Sequence, residues 1–114
     1  MKFDPDEITL TMNEDRSLTI NPCQARKLRG EKVRFTTYQP QTFFFIQFNE
    51  GSPLGSAEYK VLKGSPDDDT VRKGAEKRTY YYKVFAFQLL RPGTLSKKTV
   101  RVAADAGCPS IIIR

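Results

Sequence analysis

The sequence contains no histidine, no tryptophan, only two cysteines and no long hydrophobic run. Without an imidazole base, neither a Ser–His–Asp nor a Cys–His nucleophilic arrangement can be assembled within this chain. Zinc sites lose their usual nitrogen ligand, and two cysteines alone cannot complete a structural site. The longest apolar runs, Phe43–Ile46 and Val84–Phe87, fall far short of the roughly 18–20 residues that cross a bilayer. We therefore predict a protein that is not an enzyme, holds no metal or cofactor, and does not insert into membranes.

The length and charge describe a small basic protein. A chain of 114 residues suits a single domain, so we predict that residues 1–114 form one unit. The net charge of +6 favours anionic partners through bulk electrostatics, although a basic surface alone would account for it. The segment Met1–Pro5 has no apolar stretch typical of a signal peptide. We expect either a cytoplasmic protein or a secreted or periplasmic domain whose leader has been removed.

Short segments of alternating apolar and polar residues recur along the chain, and this period of two is typical of strands that bury one face. Their spacing of about 8–12 residues is typical of a sandwich. The predicted fold is all-β, a single Greek-key β-sandwich of seven or eight mostly antiparallel strands. The segments are Ile8–Met12, Leu18–Ile20, Lys32–Thr37, Thr42–Phe48, Ser56–Leu62, Thr79–Leu90, Thr99–Ala103 and Ile111–Ile113.

Three segments between or within these strands are expected to be irregular. Cys23–Leu28 is interpreted as a helical turn or an irregular crossing, and Lys63–Glu76 as an exposed, mobile loop. Within that loop, Asp67–Asp69 offers the carboxylate oxygens that calcium prefers, but adjacent loop carboxylates are usually only solvated. Thr79–Leu90 is expected to bend or bulge, since neither of its alternating faces is wholly apolar.

The two cysteines, Cys23 and Cys108, lie near opposite ends of the chain. We expect two buried free thiols, because free cysteine behaves as a small apolar residue. A disulfide is the alternative, since the first and last thirds of a sandwich can come together. Closing so long a loop would stabilise the fold by about 4 kcal/mol in the chain-entropy model.

Five segments follow one another in a characteristic order: Pro22, Gly30–Glu31, Val33–Phe35, Phe44–Ile46 and the closing strand Ile111–Ile113. Together they resemble a cupredoxin, a copper-binding β-sandwich. In that family one copper-binding His follows the Val-x-Phe strand, and here the position falls at Gln41 or Thr42. Cys108 lies in a plausible C-terminal loop, yet no His or Met follows it. The resemblance thus implies a copper-free sandwich, and an immunoglobulin-like sandwich is the rival interpretation.

Some strands look apolar on both faces, whereas a two-layer sandwich buries only one face of each sheet. Either Phe43 and Phe45 or Phe44 and Ile46 must then lie outside the main core. We predict that Phe43 and Phe45, with Tyr80 and Tyr82 on another strand, form exposed aromatic surfaces. Their predicted role is to bind a protein partner or a second copy of the chain. Cover by the loops of residues 49–77 is the structural alternative.

Two clusters of basic residues support a second hypothesis, binding of nucleic acid or an anionic glycan. Basic side chains attract phosphate groups, and neighbouring tyrosines offer surfaces on which bases stack. A solvated strand edge beside a core strand would give the same pattern. The predicted polyanion-binding residues are Lys32, Arg34, Arg72, Lys73, Lys77 and Arg78.

Overall fold

The computed structural model describes residues 6–15, 17–91, 94–101 and 108–114, and these form an all-β structure. None of the described residues lies in a helix, so this part of the chain holds no helix that could cross a membrane. The strands are β1 (Glu7–Met12), β2 (Leu18–Asn21), β3 (Gln24–Lys27), β4 (Lys32–Thr36), β5 (Thr42–Gln47), β6 (Glu58–Val61), β7 (Asp67–Thr70), β8 (Thr79–Tyr81), β9 (Lys83–Arg91), β10 (Thr94–Arg101) and β11 (Ser110–Ile113).

The first sheet has the strand order β2-β1-β4-β7. Strand β1 pairs with β2 as an antiparallel hairpin and with β4 in parallel, and β7 adds to β4 antiparallel. Ile8 and Leu10 of β1, with Val33 and Phe35 of β4, are completely or almost completely buried. Their alternation with more exposed neighbours confirms that one face of this sheet covers the core.

The other two sheets have the orders β10-β9-β5-β6 and β3-β11-β8. They are linked because β8 and β9 are separated by Tyr82 alone. The chain thus passes from one sheet to the next at Tyr82, which accounts for the bend expected within Thr79–Leu90. Phe35 of the first sheet packs against the rings of Tyr59 on β6 and Tyr82, with centroids 5.5 and 5.7 Å apart. A shared aromatic core therefore joins the first sheet to the other two.

The described residues form eleven strands, more than the seven or eight predicted. Two segments predicted to be irregular are paired strands. Gln24–Lys27 is β3, in parallel with β11, and Asp67–Thr70 is β7, antiparallel to β4. The predictions of a helical turn or irregular crossing and of a loop throughout Lys63–Glu76 were therefore wrong in these parts. The division of Thr79–Leu90 at Tyr82 supplies the remaining strand.

The prediction of two free thiols was also wrong, because Cys23 and Cys108 form a disulfide. Their Cα atoms lie 5.3 Å apart, within the usual range for a disulfide. The bond joins the start of β3 to the start of β11, where the Ser110 N–H donates a hydrogen bond to the Cys23 carbonyl. Parallel pairing of these strands brings residues distant in sequence together.

Lys27, the last residue of β3, is completely buried although it carries a charge. Its Nζ lies 3.2 Å from Asp6 Oδ1, and the Asp6 side chain is 28% exposed. A buried ammonium needs such a partner because transfer out of water is costly for an unpaired ion. The ion pair fixes the chain before β1 against the end of β3.

The disulfide generates a stability prediction. Replacing both cysteines with alanine should lower the free energy of unfolding by about 4–5 kcal/mol in the chain-entropy model. The reason is that a closed loop with a sequence separation of 85 residues restricts the unfolded chain. Urea unfolding of the variant and of the oxidised wild-type protein measures the difference. Two titratable thiols in the unreduced, unfolded protein would contradict the assignment.

Candidate interaction surface and groove

A patch of four phenylalanines lies on the outer side of the β5–β9 pair, which occupies the middle of its sheet. Cross-strand partners are Phe43 with Phe87 and Phe45 with Phe85. Their ring centroids are 5.8 and 6.2 Å apart, in the range of favourable aromatic pairs. All four side chains are partly exposed, while the residues that alternate with them, Thr42, Phe44 and Ile46 on β5 and Val84 and Ala86 on β9, are buried. We call these four residues the Phe face.

Tyr80 and Tyr82, predicted to lie on an exposed aromatic surface, are instead core residues, each 2% exposed. The Tyr80 hydroxyl donates a hydrogen bond to the Glu76 carbonyl, and the Tyr82 ring packs 5.1 Å from the Phe48 ring. Burial raises the pKa of Tyr82, whose hydroxyl has no hydrogen-bond partner among the described residues. The expectation of exposure at these two positions was therefore wrong.

A signal in the sequence could have separated the two faces. From Thr79 to Phe87 the even-numbered residues point inward and the odd-numbered residues outward. Lys83 is odd, and lysine almost never occupies a fully buried position without a partner. Its parity indicates that Phe85 and Phe87, together with Tyr81, lie on the outer side. Phe85 and Phe87 thus share the outer side of the sheet with Phe43 and Phe45.

The margin of the Phe face carries charges of both signs. Lys60 pairs with Phe45 in the β5–β6 register, and Glu58 pairs with Gln47. On the opposite side of β5, Gln47 pairs with Lys83. Glu58 and Lys83 therefore flank Gln47 in one row across the sheet, and both side chains are exposed. No ion pair joins either of them to another described residue.

Next to this row a groove of about 200 Å³ opens on the protein surface. Tyr81 is 46% exposed and supplies an aromatic surface in it. The side chains of the polar lining residues make no hydrogen bonds with other described residues. The lining consists of Gln47, Asn49, Glu50, Tyr81, Tyr82 and Lys83.

Arg78, one of the predicted polyanion-binding residues, holds the wall of this groove in place. Its guanidinium lies 3.9 Å from the centre of the Tyr80 ring and donates a hydrogen bond to the Glu50 carbonyl at 3.1 Å. A Cβ on Gly51 would come within 2.9 Å of Arg78 Nη2, and Gly51 has a φ of +96°. Only glycine fits this close approach without strain. The loop after β5 is therefore fixed beside β8.

Lys32 and Arg34, two other predicted polyanion-binding residues, pair with one carboxylate. Asp68 Oδ2 lies 3.3 Å from Lys32 Nζ and 3.1 Å from Arg34 Nη2. The Arg34 hydrogen bond, followed by that of Lys32, lowers the pKa of Asp68. The acidic segment Asp67–Asp69 thus neutralises the basic strand β4 beside which it lies.

The remaining predicted polyanion-binding residues do not form one cluster of free charges. The Arg72 guanidinium donates hydrogen bonds to the Leu54 and Ser52 carbonyls. Lys73 and Lys77 are exposed and have no ion-pair partner among the described residues. Of the six side chains, four therefore make contacts within the chain, and the structure leaves only two lysines unengaged.

The carboxylates of Asp67 and Asp69 accept hydrogen bonds from other parts of the chain. Asp69 Oδ2 accepts hydrogen bonds from the Tyr59 hydroxyl at 2.7 Å and the Gly55 N–H at 3.0 Å. Burial, with the Asp69 hydrogen bond, raises the pKa of Tyr59. Asp67 accepts from the Lys60 N–H. Among the described residues, no group of three potential ligands is placed to hold a metal ion.

Comparisons of this chain with models of protein families, with characterised proteins and with solved structures found no match.

The ion pairs of Asp68 generate a prediction about pH. Since its folded-state pKa lies below the ordinary 3.8, the pairs stabilise the fold above that pH. The stabilisation is lost as the pH falls through the folded-state pKa. Asp68→Asn should therefore be modestly less stable than the wild type at pH 7, and the difference should vanish in strong acid. Urea midpoints across the pH range test this.

Glu14→Gln is the matched control, because Glu14 is an exposed carboxylate without an ion pair among the described residues. It should leave the neutral-pH midpoint unchanged. An Asp68→Asn midpoint equal to that of the wild type at pH 7 would show that the Lys32 and Arg34 pairs do not stabilise the fold.

Proposed function

We propose that this protein is a non-catalytic β-sandwich interaction module that associates with a second copy through the Phe face. The observation that carries the proposal is the two-by-two block formed by Phe43, Phe45, Phe85 and Phe87 on central strands. Contiguous exposed apolar patches mark interaction surfaces in soluble proteins. All four rings are partly exposed, so the described part of the chain leaves some of the block accessible to a partner.

The proposal also includes the kind of β-sandwich that the three sheets form. We infer one two-layer sandwich of the copper-free cupredoxin-like kind, with the immunoglobulin-like sandwich as its rival. Support comes from the shared core, in which Phe35 contacts rings of the opposite layer. Further support comes from two parallel pairings, β1 with β4 and β3 with β11, between strands that are not neighbours in sequence. Such pairings are incompatible with a simple meander, in which each strand pairs with its neighbour in sequence.

The register favours a second copy as the occupant of the Phe face. The proposed two-fold axis runs parallel to β5, on the outer side of the sheet that carries the Phe face. Rotation about this axis places β5 over the partner's β5, and it places β6 over the partner's β9. Positions along the strands are unchanged by this operation. Phe45 then meets the partner's Phe45, and Glu58 meets the partner's Lys83, because both flank Gln47 in one row.

This arrangement combines apolar burial with charge complementarity. Facing sheets in sandwiches pack about 10 Å apart with interdigitating side chains, a spacing that phenylalanine rings fill. The symmetric operation generates two Glu58–Lys83 pairs at the margin, and neither residue has an ion-pair partner within the described chain. Charge pairing of this kind gives specificity for one orientation more than raw affinity.

Solution mass measured by light scattering over a concentration series tests the association. The wild-type protein should approach twice its 13.0 kDa chain mass as its concentration rises. Replacing Phe43 and Phe45 together with serine should give a monomer with an unchanged circular dichroism spectrum, because the rings are partly exposed. Tyr38→Ser is the control, since Tyr38 is 70% exposed and lies outside the Phe face.

One result would overturn the proposal directly, and a second would pass the decision to other variants. A wild-type protein that stays monomeric throughout the series would exclude a second copy. A Phe43/Phe45 variant that unfolds would show that these residues are core, and the charge-reversal variants then decide whether association uses this face.

Charge reversal tests the orientation without touching the aromatic rings. Glu58→Lys and Lys83→Glu should each weaken the dimer several-fold, since exposed ion pairs contribute about 0.2–1 kcal/mol each and reversal adds repulsion. The double variant should recover the wild-type dissociation constant, because it restores opposite charges at the same contact. Additive weakening in the double variant would contradict the proposed two-fold axis.

A further inference from the structure

The groove beside Tyr81 has features that association through the Phe face does not use. Tyr81 lies beyond the row of Gln47 and Lys83, on the side away from the phenylalanines, and is 46% exposed. Asn49 and Glu50, from the loop after β5, also line the groove. Arg78 fixes this loop by its hydrogen bond to the Glu50 carbonyl, so the groove is formed before any ligand arrives.

The groove is lined by one exposed aromatic ring and several polar side chains. Tyr81 offers an exposed aromatic ring, while the amides of Gln47 and Asn49 can both donate and accept hydrogen bonds. The Glu50 carboxylate only accepts, and the Lys83 ammonium only donates. None of these polar side chains is bonded to another described residue, so their hydrogen-bonding capacity is available.

Such a lining matches a pyranose ring. A pyranose has an apolar face of C–H groups that packs on an aromatic ring, and a rim of hydroxyls that donate and accept. The charges of Glu50 and Lys83 offset each other, which favours a neutral sugar over a polyanion. The volume of about 200 Å³ lies below the roughly 300–1,000 Å³ of sites for drug-sized ligands. One ring fits the groove, and the rest of the oligosaccharide lies outside it.

We propose that this groove is a binding site for one ring of a neutral oligosaccharide, with the sugar face against Tyr81 and its hydroxyls on Gln47, Asn49 and Glu50. The site requires none of the four phenylalanines, but it shares Gln47 and Lys83 with the margin of the proposed dimer.

Chemical-shift titration of the ¹⁵N-labelled protein tests this site. The probes are cellotetraose, maltotetraose, chitotetraose and mannotetraose, each added to about 10 mM, since a one-ring site is expected to bind with a Kd on the order of 1 mM. At least one sugar should give saturable shifts centred on the amides of residues 47–50 and 81–83. Tyr81→Ser should abolish these shifts, and Asn49→Ala should weaken binding several-fold.

Two variants serve as controls. Tyr38→Ser removes another exposed tyrosine and should leave the titration unchanged. The Phe43/Phe45 serine variant should bind the sugar at least as tightly as the wild type does, because loss of the dimer uncovers Gln47 and Lys83. Failure of the dimer and failure of the groove are therefore distinguishable. The inference is overturned if no sugar gives saturable shifts, if Tyr81→Ser leaves them intact, or if an oligothymidylate titrates the same amides at lower concentration than every sugar.

Discussion

The contact of Phe35 with two tyrosines of the facing sheets is the interaction on which the rest of this structure depends. Phe35 is completely buried, and its ring lies within 6 Å of the rings of Tyr59 and Tyr82. Since successive residues of a strand point to opposite sides, burial of Tyr82 forces Tyr81 and Lys83 outward. The open groove and the orientation of the Phe face are thus consequences of how the core is packed.

Part of the charge of this protein is used inside its own fold. The acidic strand β7 lies beside the basic strand β4, and Asp68 there holds both Lys32 and Arg34. Asp69 of the same strand accepts the hydroxyl of Tyr59, which packs against Phe35. The acidic segment therefore ties an ion-pair network on the surface to the aromatic core. These pairings leave the net charge of +6 unchanged, but they reduce the positive charge concentrated on β4.

Alternation in the sequence was sufficient to predict an all-β fold and eight of its strand segments, because the alternation can be read locally. Val102 and Ala103, at the end of the predicted segment Thr99–Ala103, lie outside the described residues. Strands β3 and β7 could not be predicted in this way. The segment of β7 is entirely polar, and its pairing depends on the basic strand to which it binds. The surface of Phe43 and Phe45 was predicted because their strand is apolar on both faces. Phe85 and Phe87 could have been added only by noting that Lys83, two residues before Phe85, must point outward. The groove depends on a loop held by Arg78, and no local pattern indicates which carbonyl a distant arginine will bind.

A central strand with apolar side chains on both faces is a liability unless its outer face is used. Phe44 and Ile46 already supply the inward contribution of β5 to the core, so Phe43 and Phe45 add nothing to it. Polar residues at these two positions would satisfy the fold and reduce the risk of aggregation. The flanking Lys60, Lys83 and Glu58 limit that risk by making non-specific stacking unfavourable. Apolar residues inside a charged margin are the arrangement expected of a surface that binds in one orientation, since the rings provide the attraction and the charges exclude other alignments.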